Sequence, residues 1–330
     1  MTALRRYTQR DFIALVDRHR VPWHEKTLGQ LFCDDSSRRI IDLLVHELRD
    51  AGADLRLGTA VEAIEPQSDG FQIRLSNGTI HTAALVIATG GKSIPKMGAS
   101  GFGYRIAEQF GLPVTDTRPA LVPFVFDPET RGRLASLSGV SVPARVSAGG
   151  TAFDEGLLFT HRGLSGPAVL QASSYWREGE PLTVGLMPDL DIAAWLKLRR
   201  SSDGAKQLAT VLAEHLPKRL VGMLLERLGL SGKLAELSTK RLEALAAMLS
   251  GWEHRPAGTE GYRTAEVTLG GVCTDALDPE TMMVRQVPGL YFIGEVADVT
   301  GWLGGYNFQW AWSSGWVAGT AIAAGARGRA

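Results

Sequence analysis

An α/β fold interrupted by an inserted antiparallel β unit and a helical cap is predicted for this 330-residue chain. Three observations carry that prediction. Helical patterns and a strand apolar on both faces, "ALVIAT", follow one another before Pro119. Residues 118 to 190 alternate apolar with small or polar side chains and are punctuated by Pro and Gly. Residues 191 to 256 turn rich in Leu, Ala, Lys, Arg and Glu at helical spacing. The α/β character returns at "AEVTLGGV", so the expected domains are a discontinuous one over 1–117 and 257–330, a β domain over 118–190 and a helical cap over 191–256.

Taken in order, Thr8 followed by Asp11 is a capping signal, and Phe12, Leu15 and Val16 then predict a helix over 8–20. Ser36 or Ser37 can cap a second helix whose Ile40, Ile41, Leu44 and Leu48 share a face, with Gly52 placed to end it. The period then changes to two. "DLRLG", "AVEAIE", "FQIRLS" and "TIHTAALVIAT" read as strands, with a tight hairpin turn at Asn77-Gly78 and a central parallel strand at "ALVIAT". Glycines 98, 101 and 103 precede a short helix, and "IAAWLKLRR", "AKQLATVLAEHL", "KRLVGMLLERLG" and "STKRLEALAAMLSG" predict the helices of the cap.

Composition narrows the function classes. With 45% hydrophobic and 21% charged residues the chain has material for a real core. Its 35 basic and 35 acidic side chains cancel without a run of five like charges, which argues against nucleic acid or an anionic membrane surface and for a small-molecule substrate. Cys33 and Cys273 lack CxxC spacing, and His19 and His24 lack metal spacing, so no disulfide framework and no metal site is expected. The opening residues lack a signal-peptide core, and "LVIATGG" is too short to span a bilayer; a cytoplasmic location is expected.

Two tempting motifs fail. "LVIATGGKS" ends like a phosphate loop, but the glycine required five positions before Gly91 is Val86, and Pro95 opposes an immediate helix. "FTHRGLSGP" holds His161 and Ser165 without an acidic orienter and reads as a turn before a helix. What survives is a strand ending in the small residues Ala88, Thr89, Gly90 and Gly91, and a more specific C-terminal stretch. There Leu290 to Ile293 form a buried strand, Gly294 allows close approach of a ligand, and the Glu295 carboxylate can accept hydrogen bonds from sugar-like hydroxyls. Gly304 and Gly305 then open a helix whose free amides suit the electron-rich edge of a reduced flavin. Ala311, Gly315, Ala318 and Gly319 make a small-residue face on it, while Trp310, Trp312 and Trp316 supply bulk elsewhere.

"KSIPKMGASGFGYRIAEQFG", "RPALVPF", "LLFTHRGLSGPAVLQAS", "AEVTLGGV" and above all "VPGLYFIGEVADVTGWLGGYNFQWAWSSGWVAG" resemble the YhiN/BaiN-like family of NAD(P)/FAD-dependent oxidoreductases, some of them aminoacetone-oxidase-like flavoproteins. The resemblance implies a Rossmann-like, two-dinucleotide-binding FAD domain that transfers hydride between a nicotinamide donor, NAD(P)H, or oxygen and an organic substrate. It further implies that Val61 contacts the adenine end, that Ala88, Thr89, Gly90 and Gly91 run past the cofactor, that Gly294 and Glu295 hold the ribityl and phosphate region, and that Gly305, Tyr306, Asn307 and Phe308 face the flavin ring. Family members begin with a strand, a Gly-rich pyrophosphate turn, a helix and an acidic ribose ligand, which this sequence does not contain. The expectation is therefore an incomplete FAD domain lacking its first βαβ elements, through truncation or natural loss. The alternative reading is a non-catalytic remnant or binding protein that keeps the fold and not FAD. No catalytic acid or base is expected to stand out, because the cofactor performs the redox step.

Overall fold

Asp11 accepts from both the backbone N–H and the hydroxyl of Thr8, at 2.7 Å each, and so starts the helix Gln9–Arg18 where the sequence places it. In the computed structural model, which describes residues 2–327, this helix buries Phe12 and Val16 against Val21 and Leu43. Leu43 belongs to the helix Arg38–Asp50, and Gly52 follows it with φ 70°.

The chain forms two compact units, Met1–Arg118 with Val267–Ala330, and Pro119–Glu266. The first contains an antiparallel meander of Val61–Gln67, Gly70–Leu75 and Gly78–Thr82. Its second turn is Ser76-Asn77, one residue earlier than predicted, since Leu75 pairs with Gly78. "DLRLG" forms no strand; Leu55 and Leu57 are exposed, and alternation without a partner strand leaves backbone groups to water. "TIHTAALVIAT" breaks in two. The Thr82 hydroxyl donates to the Ala84 carbonyl and accepts from the Ala84 N–H, a local loop that ends the meander strand. After it Leu85–Ile87 pairs in parallel with Leu290–Phe292, with Leu85 opposite Leu290 and Ile87 opposite Phe292. This is a two-stranded parallel pair and not the central strand of a wide sheet. Leu290 and Phe292 are fully buried, in one core with Ile64, Phe71, Val296 and Val317.

The second unit is a seven-stranded antiparallel sheet covered by helices. The expected β domain and helical cap are one body. Leu220, Leu224, Leu245 and Leu249 of the helices share a core with Val142, Val146, Leu182 and Val184 of the sheet. The chain also returns to the sheet after the helices, with Trp252–His254 pairing Leu182–Val184 and Gly258–Thr259 pairing Phe124–Val125, so the unit ends at Glu266 and not at 256. The helix expected from "AKQLATVLAEHL" shrinks to Leu208–Leu212, because Gln207 pairs with Lys233 and the Leu208 N–H donates to the Gly232 carbonyl. Among the described residues no helix is long and apolar enough to cross a membrane.

Candidate functional site

Parallel pairing brings the ends of two strands to one edge. The register sets Ala88 to Gly91 beside Ile293 to Glu295, and the Ile293 N–H donating to the Ile87 carbonyl at 3.1 Å extends the pair into the turns. Ala88 and Thr89 are exposed immediately after buried Ile87, so this backbone is open to a ligand. Gly90 and Gly294 both have left-handed φ, at 67° and 70°, and allow the abrupt turns that a β-carbon would strain. Gly91 is small for another reason. A β-carbon there would lie 2.3 Å from Glu295 Oε1 and 2.4 Å from Thr268 Oγ1.

Thr268, 1% exposed, ties the pieces together. Its N–H donates to Glu295 Oε1 at 2.8 Å, and its hydroxyl accepts from the Lys92 N–H at 2.8 Å and lies 3.2 Å from Ser93 Oγ. Its carbonyl accepts from the Thr300 hydroxyl at 3.4 Å. The adjoining Gly301 is closed onto the C-terminal helix by Asn307, whose carboxamide accepts from the Gly301 N–H at 2.8 Å and donates to the Gly301 carbonyl at 3.1 Å. Sequence reasoning missed Thr268 because a lone Thr in "AEVTLGGV" has no local signal of contacts to residues 92, 295 and 300.

The Gly294 turn is fastened from below. Its N–H donates to Ser314 Oγ at 2.9 Å and its carbonyl accepts from Trp310 Nε1 at 3.0 Å, so these backbone groups serve the helix Tyr306–Arg327 and not a ligand. The packed face of that helix carries Trp310, Ser314, Val317 and Ala318, while Gly319 is exposed. Ala311 and Gly315 do meet Gly294 and Ile293 as the small-residue face predicts; the correction is that Gly319 lies outside the packed face and Trp310 belongs to it as a clamp, its indole N–H finding a buried acceptor there.

At the helix start Gly304 and Gly305 have φ of 113° and 91°, both are exposed, and the Gln309 N–H donates to the Gly305 carbonyl at 2.9 Å. The amides of Tyr306, Asn307 and Phe308 open the helix without an acceptor inside it and stand at the positive end of its dipole. Tyr306 and Phe308 are exposed, whereas the Asn307 side chain is spent on Gly301. Val61 stands apart, in the meander opposite Leu75. Glu295 is half-buried, and burial raises its carboxyl above the usual range while donors from Thr268 pull it back. His161 is exposed, and Ser165 lies in a strand opposite Leu158.

Glycine turns at the carboxyl ends of adjacent parallel strands, tied to a glycine-started helix, define a Rossmann-type α/β protein. The chain belongs to the family described as HI0933-like protein Rossmann domain, which matches residues 1–321. It is 54% identical over 322 residues to a ribosomal RNA dihydrouridine synthase of Escherichia coli, covering 96% of this chain and 80% of that protein. It is 46% identical over 327 residues to the Haemophilus influenzae protein of the same name, covering 97% and 81%. A 3-dehydro-bile acid delta(4,6)-reductase of Clostridium scindens is 30% identical over 305 residues, covering 88% and 74%.

Proposed function

We propose that this protein is an FAD-dependent reductase that saturates a carbon–carbon double bond conjugated to a carbonyl, and that its substrate is a uracil ring in ribosomal RNA. The observation that carries the cofactor reading is the cradle joined by Thr268: an open turn at Ala88 to Gly90, a half-buried carboxylate and an exposed helix start. The residues fit a flavin nucleotide on that ground, since the turn at Ala88 to Gly90 admits close backbone approach and the helix start favours an electron-rich ring. The substrate reading is supported by the relatives' names, a ribosomal RNA dihydrouridine synthase and a bile acid delta(4,6)-reductase, and hydride addition to an electron-poor double bond is the chemistry proposed for this chain.

Bound in this cradle, FAD would supply the two-electron step, with a nicotinamide as the source of hydride and solvent as the source of the accompanying proton. The chain's own part is to hold and to polarise. Amides of Tyr306, Asn307 and Phe308 set positive potential where negative charge gathers. Glu295 accepts from ligand hydroxyls, while Thr268 fixes its orientation. The proposal departs from the charge-balance expectation against nucleic acid, which averages over the whole chain. Residues 197–241 alone carry ten Lys and Arg against four Asp and Glu, a local excess suited to a phosphate backbone.

The test is the visible spectrum of the chain purified and titrated with FAD, followed by a dihydrouridine assay on ribosomal RNA with NADH or NADPH. A flavin spectrum and nicotinamide-dependent loss of uridine are expected; absence of flavin binding returns the chain to the non-catalytic reading. Glu295→Gln, which keeps an acceptor for the Thr268 N–H, is expected to weaken FAD by about 1 to 3 kcal/mol through loss of a charge-assisted bond. Equilibrium titration of FAD fluorescence checks it, and unchanged affinity would remove Glu295 from the cofactor site.

A further inference from the structure

A short hairpin near the amino end reaches the glycine pair. Trp23–Glu25 and Leu31–Cys33 pair antiparallel, and the turn between them is closed by the Lys26 N–H donating to the Gln30 carbonyl at 2.8 Å. The base is anchored: Trp23 Nε1 donates to Asp17 at 2.9 Å, and Trp23 and Cys33 pack on the cluster of Phe12, Val16 and Leu43. The tip lies against Gly304, where a β-carbon would come within 3.4 Å of Gln30 Cγ and 3.6 Å of Gln30 Cδ. Gln30 is half-buried, yet its carboxamide makes no hydrogen bond among the described residues. A carboxamide offers two donors and an acceptor side by side, and at this half-buried position they still reach solvent, free to meet a partner from outside the protein.

We infer that Gln30 is a specificity-determining residue that reads the imide edge of a pyrimidine base, its oxygen accepting from the ring N–H and its NH2 donating to the neighbouring carbonyl. The inference rests on the reading of the Gly304-Gly305 helix start as the flavin-facing end of the site. It adds to that reading the part of the substrate that is recognised. The complementary pattern belongs to an unmodified uracil; a methyl group on the imide nitrogen removes the donor and occupies the contact.

The experiment compares wild type with Gln30→Ala, both loaded with FAD, on short unpaired RNAs containing either uridine or N3-methyluridine. Truncation leaves the backbone bond from Lys26 intact, so the hairpin is retained. Wild type is expected to prefer the unmodified RNA. Gln30→Ala is expected to lose about 10-fold to 100-fold in kcat/KM on the unmodified RNA and little on the methylated one, so that the preference collapses. Equal losses on both RNAs, or a preference kept by Gln30→Ala, would overturn the inference. A second arm reads binding without turnover, by titrating uridine monophosphate and its N3-methyl form into the FAD-loaded chain without reductant. If wild type reduces neither RNA, the proposed function fails and this arm decides on Gln30 alone. Tighter binding of uridine monophosphate, lost in Gln30→Ala, supports the inference, and equal binding of the two forms ends it.

Discussion

Replacing Phe292 by Ala is expected to cost about 3 to 5 kcal/mol of the stability of the unit that carries the site. Phe292 is fully buried at the end of its strand, opposite Ile87, and the turns at Ala88 and Gly294 begin within a residue or two of this pair. Loss of the ring removes transfer free energy and leaves a cavity that the parallel pair has little freedom to close, because Gly294 is pinned to Trp310 and Ser314. The damage should therefore spread across the pair. Hydrogen exchange checks the expectation at residue level: protection should fall at the Ile293 amide, bonded to Ile87, and at the Lys92 and Thr268 amides, which are linked through the Thr268 and Glu295 side chains. FAD affinity should fall with it. Retained protection at Ile293 and Lys92 would mean that the turns are held by the Thr268 network alone, and the strand pair would lose its assigned role.

The way this site is assembled explains which parts of it could be read from the sequence. The helix at Gln9 and the turn at Gly294 were legible because their causes are local, a Thr-Asp pair three residues apart and a glycine after an apolar run. The C-terminal helix start at Gly304-Gly305 was legible for the same reason. Thr268 and Gln30 were not, because their meaning lies in contacts made far along the chain, with Glu295 and Gly304 respectively. The hairpin of Gln30 has strands of three residues, too short for alternation to stand out. Trp310 was misread because helical spacing says which residues share a face but not which face meets a turn whose carbonyl needs a donor. The β domain and helical cap were separated because composition changes at 191, whereas strands Trp252–His254 and Gly258–Thr259, which bind the two together, are too short to announce a return to the sheet.

One of those short strands also builds a pH dependence into the second unit. His254 is 6% exposed, its ring centroid lies 4.2 Å from that of Trp252 and 5.5 Å from that of Phe126, and its Nε2 has no hydrogen-bond partner among the described residues. Burial, and then the charge of Arg227, depress its pKa from 6.5 to about 4. Between those values the unfolded chain binds a proton that the folded chain refuses. Stability is thus complete above about pH 6.5, falls as pH drops through the window, and has lost about 3 kcal/mol by pH 4. Carboxylates titrate over part of the same range, so the informative quantity is the difference between wild type and His254→Leu, which keeps an apolar side chain in the aromatic setting and removes the proton. Denaturant unfolding of the second unit at pH 7 and pH 4 should show wild type losing about 3 kcal/mol more than the variant over that interval. Parallel losses in the two proteins would mean that the imidazole reaches water or an acceptor when it is charged, and the acid sensitivity of this unit would then belong to its carboxylates.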